Sequence, residues 1–237
     1  MMVTLSRGGV GLCRFLLVTG LLLSGCVNLS KSFPDKHYYA LNTTRTGEPV
    51  RALSESILSV APLRIVPRYE GREIVYRRGE FLYESDFYHE WFSLPASMVT
   101  TELERWLDQS GVFAQVVNRS LSIEPTFLLE GAITELYGDY RSKGAPKAAI
   151  ALEVYLMRVR PGGETILFRQ DYHQEIDVQD ASPEALAKGW NRGLELIFTA
   201  LEEGLKTAVR ESSAGRSTSS DRKETGASRS RPAPLRK

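Results

Sequence analysis

The sequence predicts an α+β fold: a two-layer domain in which two amphipathic helices cover one face of a mainly antiparallel sheet. Three observations lead to this prediction. Long segments in the second half of the chain alternate apolar and polar residues with period two. A Pro-Gly-Gly turn joins two of these segments, which makes that pair antiparallel. Two further segments, one before and one after the long strands, repeat their apolar residues at helical spacing and supply the cover.

The first half of the chain predicts short strands and one hairpin. Strands are predicted at His37–Leu41 and Ile57–Leu63, where β-branched and aromatic residues concentrate. A hairpin is predicted from Glu73–Arg77 and Glu80–Glu84, because residues of high strand propensity flank the turn Arg78-Gly79.

The first amphipathic helix follows this hairpin. Ser93 is its predicted cap, Pro95 lies in its first turn and Gly111 follows its end. Its apolar stripe consists of Val99, Leu103, Trp106 and Leu107. Because Trp106 lies on that stripe, we predict that it belongs to the core and is not a platform for a ligand.

Three long strands come after a short one at Phe113–Val117. They are predicted over Thr126–Tyr140, Ala148–Arg160 and Thr165–Asp177, with the turn Pro161–Gly163 between the last two. The middle strand has one wholly apolar face: Ile150, Leu152, Val154 and Leu156. In the last strand we expect four residues to share the covered face: Ile166, Phe168, Tyr172 and Ile176.

The second helix is predicted to begin at Ser182-Pro183-Glu184 and to end near Arg210. Its long stripe consists of Leu186, Trp190, Leu194, Ile197, Phe198, Leu201 and Leu205. Residues 211–237 are rich in Ser, Gly, Arg and Pro and poor in apolar side chains. We therefore predict a disordered basic tail there, after a folded domain over residues 36–210.

The N-terminal segment predicts a lipid anchor. An apolar run, Phe15–Leu23, carries arginine at its start and ends in the tetrapeptide Leu23-Ser24-Gly25-Cys26, which has the form of a bacterial lipobox. The run is short for a membrane span. We therefore predict a lipoprotein signal peptide over residues 1–25, acylation of Cys26 and a tether over residues 26–35. An ordinary secretory signal peptide is the alternative.

The residues after Cys26 predict where the anchor goes. In many Gram-negative bacteria an Asp directly after the lipidated cysteine retains the protein in the inner membrane, but Val27 and Asn28 stand here. The expected location is the outer membrane, with the domain facing the periplasm. The other cysteine, Cys13, lies in the signal segment, so we expect the mature chain to have neither a disulfide nor thiol chemistry.

No motif for catalysis or metal binding stands out. The chain has three histidines, His37, His89 and His173, and none is paired at helical spacing with another His or Cys. His89-Glu90 begins like a zinc-protease motif but lacks the second His. We expect a protein that is not an enzyme and that uses no cofactor or metal. The net charge of +1 argues against nucleic acid as a partner.

The segment 81–92 concentrates aromatic residues among acidic ones. Such a cluster is compatible with core packing and also with a surface for a partner or for self-association, which leaves a homo-oligomer open. The candidate surface residues are Tyr76, Arg77, Phe87, Tyr88 and Trp91.

Several blocks of the chain resemble the ABC-type transport auxiliary lipoproteins, which include paraquat-inducible protein C-like lipoproteins. The resemblance covers about residues 26–208, and the tail from residue 211 exceeds the family pattern. After the lipobox, the blocks are Tyr38–Leu41, Ile74–Arg77, Tyr88–Trp91 with Pro95, Gly111–Phe113 and Leu129–Gly131.

The resemblance implies a function and partners. Lipoproteins of this family accompany a mammalian-cell-entry (MCE) domain protein and membrane components that move lipids or other hydrophobic compounds between the two membranes. It therefore implies that this chain docks such an assembly at the outer membrane, and some members look like homo-oligomers. The alternative is an outer-membrane assembly lipoprotein that acts on lipopolysaccharide or on protein insertion.

Overall fold

The computed structural model describes residues 35–50, 56–118 and 124–227, with side chains as far as Ser213. Within these ranges the α+β class is confirmed. The elements, in chain order, are β1 His37–Tyr39, β2 Ile57–Val60, β3 Arg64–Ile65, a short 3-10 helix Pro67–Tyr69, β4 Glu73–Arg77, β5 Tyr83–Trp91, α1 Pro95–Ser110, β6 Gln115–Asn118, β7 Phe127–Asp139, β8 Lys147–Arg160, β9 Gly163–Asp177 and α2 Pro183–Ala227.

Strand β7 organises the sheet. One of its edges pairs antiparallel with β8, which in turn pairs antiparallel with β9. Its other edge pairs with β2, β3 and β4 in succession, and all three run parallel to it. Strand β2 also pairs parallel with β6, while β4 forms an antiparallel hairpin with β5, and β5 pairs parallel with β1. The sheet is therefore mixed: its long ladders are antiparallel as predicted, and its short strands add parallel ones.

Helix α2 packs closely on β8 because small residues meet at the contact. A Cβ atom on Gly189 would lie 2.6 Å from the Cβ of Ala148, and one on Gly193 would lie 2.8 Å from a methyl carbon of Ile150. Trp190 is fully buried there, and its indole N–H donates to the backbone oxygen of Ala149 at 3.1 Å. The predicted stripe of α2 is buried as expected.

A buried ion cluster joins both helices to the segment after β1. Glu202 of α2 accepts hydrogen bonds from Arg45 at 2.9 Å and from the indole N–H of Trp106 at 3.0 Å, and Lys206 lies 2.8 Å from it. Burial by itself would raise the pKa of Glu202, but the hydrogen bonds from Arg45 and Lys206 lower it to about 2. Trp106, buried at this point, is a core residue as predicted.

The helix ends agree with the sequence in part. Gly111 ends α1 in the left-handed conformation, with φ of 69°. The hydroxyl of Ser182 accepts a hydrogen bond from the amide of Ala185, which makes it the predicted cap of α2. Ser93, however, does not cap α1, because the helix begins one residue later than expected and Leu94 occupies the cap position.

A bulge in β9 corrects one predicted face. Leu156 pairs with Phe168 and Met157 pairs with Ile166, which leaves Leu167 without a partner in the ladder. The alternation shifts by one residue, so Ile166 joins the face of Met157 and is exposed. The prediction that Ile166 shares the covered face with Phe168 is therefore wrong.

The second correction concerns the end of α2. The helix runs to Ala227 and not only to about Arg210, over a stretch that no proline interrupts. Arg158 donates to the backbone oxygen of Ser212 at 2.9 Å, which ties this part of the helix to β8. Residues 211–227 are thus helical, in contrast to the predicted disorder. Residues 228–237, the signal segment 1–25 and Cys26 lie outside the described residues.

Candidate interaction surface

The β4–β5 hairpin contains a wide bulge. Val75 pairs with Ser85 and Glu73 pairs with Glu90, so residues 86–89 of β5 lie opposite Ile74 alone. Extra residues in one strand leave the ladder and bend outward. The far end of β5 is then held by β1, with His37 in register with His89.

Asp86 holds this bulge in shape. One carboxylate oxygen accepts hydrogen bonds from the backbone amides of Tyr88 at 2.8 Å and His89 at 3.1 Å. The other accepts from the Tyr76 hydroxyl at 2.7 Å and lies 2.8 Å from Nδ1 of His89. Burial by itself would raise the pKa of Asp86, but these hydrogen bonds outweigh burial and keep the pKa below its ordinary value.

The bulge turns two aromatic rings to the outside. Phe87 and Tyr88 are both exposed, and their rings meet edge-on with centroids 5.2 Å apart. Nζ of Lys36 lies 4.3 Å from the centre of the Phe87 ring, in cation–π geometry. Lys36 directly precedes β1, so these rings stand where the chain enters the described domain.

Two more exposed rings complete what we call the N-terminal patch: Tyr38, Phe87, Tyr88 and Phe92. Tyr38 is 51% exposed, Phe87 66% and Phe92 69%. The amide of Phe92 donates to the backbone oxygen of Tyr39 at 2.7 Å, which places Phe92 beside β1. Exposed aromatic groups gathered in one place mark an interaction surface more often than scattered ones do.

The charges around the N-terminal patch nearly balance. Lys36 pairs with Glu90, and Arg72 lies 4.0 Å from the same carboxylate. The Arg72 guanidinium also stacks over the Tyr38 ring at 5.3 Å. Glu90 is buried, so it fixes both cations beside the exposed rings. The patch is thus apolar at its centre and carries little net charge at its border.

A second exposed apolar group lies at the turn of the hairpin. We call residues 78–82 the hairpin tip. The amides of Arg78 and Gly79 donate to the backbone oxygen of Leu82, so the turn is longer than predicted and β5 begins only at Tyr83. Phe81 is 87% exposed, and Leu82 is exposed beside it.

Arginine and tyrosine side chains stack next to the hairpin tip. The guanidinium of Arg77 lies over the rings of Tyr83 at 5.6 Å and Tyr137 at 5.7 Å, and Arg68 lies over Tyr83 at 5.2 Å. Burial raises the pKa of Tyr137, so its hydroxyl stays neutral and accepts a hydrogen bond from Arg77. These cation–π contacts hold Arg77 beside the hairpin tip.

In the structure, the five predicted surface residues divide into three at the surface and two in the core. Arg77, Phe87 and Tyr88 reach the surface. Trp91 is only 2% exposed and lies 5.0 Å from the Trp190 ring, and Tyr76 is buried against Asp86. The prediction that Tyr76 and Trp91 face a partner is therefore wrong, because both side chains complete the core.

Sequence reasoning missed Tyr38, Leu82 and Lys36 as surface residues. Phe81 and Phe92 were also not named as candidate surface residues. Both belong to the aromatic segment 81–92, and this is the signal that could have indicated them. Tyr38 offered no local signal, because its exposure depends on the parallel pairing of β1 with β5.

The histidines form no metal site in the described part of the chain. The rings of His37 and His89 stack with centroids 5.6 Å apart, and His173 lies near Glu135 and Glu175 on an exposed strand face. Among the residues with a described position, no group of three or more His, Cys, Asp or Glu residues is arranged to hold a metal ion. The expectation of a non-enzyme stays a prediction.

The long helices are not membrane spans. Over the ranges that the structure covers, no helix combines the length and the apolar character needed to cross a bilayer.

A family model described as the ABC-type transport auxiliary lipoprotein component matches residues 39–201. The chain belongs to this family. Membership confirms the resemblance and places the chain among membrane-anchored lipoproteins that serve as auxiliary components of ABC-type transport systems. The match contains the β4–β5 hairpin and both covering helices as far as Leu201.

Solved structures share the fold at low sequence identity. A Xanthomonas campestris protein of the family model DUF330 superposes with a TM-score of 0.67 and 17% identity, over 75% of this chain and 99% of that one. A crystal structure of an uncharacterized protein gives a TM-score of 0.56 and 18% identity, over 72% and 98% of the two chains. Among curated proteins, none matches the sequence. Identities this low show the fold alone.

Proposed function

We propose that this protein is the lipid-anchored periplasmic accessory subunit of an MCE-type intermembrane lipid transport system. The acylated Cys26 fixes the domain at the outer membrane, and the domain docks the distal end of the partner assembly. The observation that carries the proposal is the family match over residues 39–201, since auxiliary lipoproteins act together with a transport system.

The sequence supports the proposed anchor. The lipobox ends at Cys26, and Val27 and Asn28 lack the acidic retention signal of many Gram-negative inner-membrane lipoproteins. Metabolic labelling with a fatty acid should mark the wild type and not the Cys26→Ser variant. Density-gradient separation of the two membranes should place the labelled protein with the outer membrane. Recovery in the inner membrane would contradict the proposed destination.

The hairpin tip is the best-placed surface for the partner. It exposes Phe81 and Leu82 near Arg77, which lies over the Tyr83 ring, and aromatic and arginine side chains are enriched where proteins bind one another. Strand β4 separates the tip from the N-terminal patch by about 13 Å, since a strand rises roughly 3.3 Å per residue. The tip and the N-terminal patch are therefore separate surfaces of the same hairpin.

The test is a crosslinked pull-down from intact envelopes. A photo-crosslinking amino acid at position 81 should capture an MCE-domain protein. The variant Phe81→Ser with Leu82→Ser should lower recovery of that protein about tenfold, which corresponds to the loss of one interface anchor. Ile166→Ser is the matched control, since Ile166 is also a large exposed apolar residue but lies on β9.

Other outcomes of the pull-down have definite meanings. If wild-type envelopes yield no MCE-domain protein, the proposed function is wrong. If only factors for lipopolysaccharide or outer-membrane protein insertion are recovered, the chain is an assembly lipoprotein instead. Crosslinks between copies of the chain at position 81 would assign the tip to self-association and not to the partner.

A further inference from the structure

We infer that the N-terminal patch lies in the headgroup region of the bilayer that holds the Cys26 anchor. The domain then rests on the membrane through this patch, and the hairpin tip stays outside the headgroup region. Phe87 and Tyr88, predicted from the sequence as contacts to a protein, contact lipid instead. The inference rests on the acylation of Cys26 in the proposed function and adds the orientation of the domain.

The position of the patch along the chain is the first argument. Residues 26–35 separate the predicted anchor from Lys36, and a fully extended chain reaches at most about 3.6 Å per residue. Lys36 is therefore within about 35 Å of the acylated cysteine. Its ammonium group lies over the Phe87 ring, so the exposed rings surround the point where the anchored chain enters the domain.

The chemistry of the patch is the second argument. A tether of this length permits many orientations, and the bilayer favours the one that removes apolar surface from water. Phe87 and Phe92 are each about two-thirds exposed. Tyr38 and Tyr88 have apolar rings with polar hydroxyls, the type of side chain that concentrates at membrane interfaces. Lys36 can keep its ammonium group in the headgroup layer while its methylene chain contacts apolar groups.

The charge balance predicts how the contact responds to salt and lipid. Lys36 and Arg72 both lie at Glu90, so the patch has no large excess of positive charge. Attraction to anionic lipid is then a minor contribution, and burial of the rings is the main one. We expect the contact to form on zwitterionic vesicles and to persist when salt screens charges.

The native tryptophans permit a direct test. Trp91, Trp106 and Trp190 are all buried, so quenchers in the bilayer do not reach their rings. A Phe87→Trp substitution adds one reporter inside the patch. The acylated full-length variant is reconstituted into zwitterionic vesicles with brominated acyl chains and compared with the same vesicles without bromine. Phe81→Trp, at the hairpin tip, is the matched control with a still more exposed position.

We expect brominated lipid to lower the added emission of Phe87→Trp by about twofold and to leave that of Phe81→Trp unchanged, because only rings at the interface meet the acyl chains. The quenching should be the same at low and high salt. Phe92→Trp serves as a second reporter if Phe87→Trp does not fold.

The outcomes separate the orientation from the proposed function. If the protein floats with the vesicles but neither patch reporter is quenched, the orientation is wrong and the anchored accessory subunit stands. If the wild type does not float, the Cys26 anchor is wrong. Equal quenching at positions 81 and 87 also overturns the orientation. Crosslinks between copies at position 87, without quenching, would make a second copy of the chain the occupant of the patch.

Discussion

Two aromatic regions of this molecule differ in where their rings end up. Under the helices, Trp106, Trp190 and Phe198 are almost completely buried, whereas Phe81 and Phe87 of the β4–β5 hairpin are mostly exposed. Trp106 lies on the apolar stripe of α1, and Trp190 and Phe198 lie on that of α2. The sheet covers these stripes along their length. The hairpin residues lie in a turn and in a bulge, where alternation breaks. Aromatic content alone therefore does not predict burial, whereas regular spacing inside an unbroken element does.

The two regions also share one type of hydrogen bond. In each, one carboxylate accepts a hydrogen bond from a buried aromatic side chain: Glu202 from Trp106 and Asp86 from Tyr76. Glu202 is enclosed by Arg45 and Lys206 and joins distant parts of the chain. Asp86 mainly accepts hydrogen bonds from backbone amides within its own bulge. We therefore expect substitutions under the helices to destabilise the whole domain and substitutions in the hairpin to act locally.

The largest effect is expected for Trp190→Ala. It removes a fully buried indole, its contact with Trp91 and its hydrogen bond to Ala149. The free energy of unfolding should fall by about 4–5 kcal/mol, as for other large core truncations. Urea denaturation followed by circular dichroism measures this loss. A loss below about 1 kcal/mol would mean that α2 is not packed on β8 as described.

Glu202→Gln should have the next largest effect. It leaves the guanidinium of Arg45, also buried, without its carboxylate, and breaking a buried ion pair on one side costs roughly 3 kcal/mol. Glu203→Gln is the matched control, because Glu203 is the neighbouring residue of α2 and its side chain is exposed. Equal stability of both variants in urea would show that the cluster contributes nothing.

The same carboxylate predicts a pH dependence. The pKa of Glu202 falls from its ordinary 4.5 to about 2 in the folded chain, so the unfolded chain binds the proton more readily. The stabilisation is present above about pH 4.5 and is lost as the pH falls towards 2. Urea denaturation of the wild type should show this decline, and Glu202→Gln should show less of it. Parallel pH profiles of the two proteins would contradict the lowered pKa.

Asp86→Ala should have a moderate and local effect. It removes the acceptor for two amides and for the buried hydroxyl of Tyr76, which corresponds to about 1–2 kcal/mol. Hydrogen exchange at Tyr88 and His89 should accelerate more than exchange in α2. Glu84→Ala, an exposed acid on the same strand, is the control and should leave exchange at the bulge unchanged.

The smallest effect on stability is expected for Phe81→Ser and Phe87→Ser. Both side chains are mostly exposed, and such substitutions usually change the free energy of unfolding by no more than about 0.5 kcal/mol. Thermal denaturation checks this. A large loss of stability from either substitution would show that the hairpin rings belong to the core, and both the partner surface and the membrane patch would then be wrong.

The hairpin shows how far sequence reasoning reached. The aromatic cluster and the strand β4 were predicted, but Trp91 and Tyr76 were placed on the surface, and they are buried. A two-residue period assigns alternate faces only while the ladder is unbroken. The bulge at residues 86–89 and the unpaired Leu167 in β9 both shift that period. No local sequence pattern predicts such a shift, because the position of the extra residue depends on the register with the partner strand.

Local sequence patterns predicted the long strands and the core stripes of both helices, because helical and strand periods are local properties of neighbouring residues. They also predicted the β8–β9 hairpin through the Pro-Gly-Gly turn. The tertiary structure sets the order of β2, β3 and β4 along a single edge of β7 and brings Arg45 to Glu202. Those partners lie far apart in the chain, so the free energy of their contacts depends on the assembled fold and not on any local pattern.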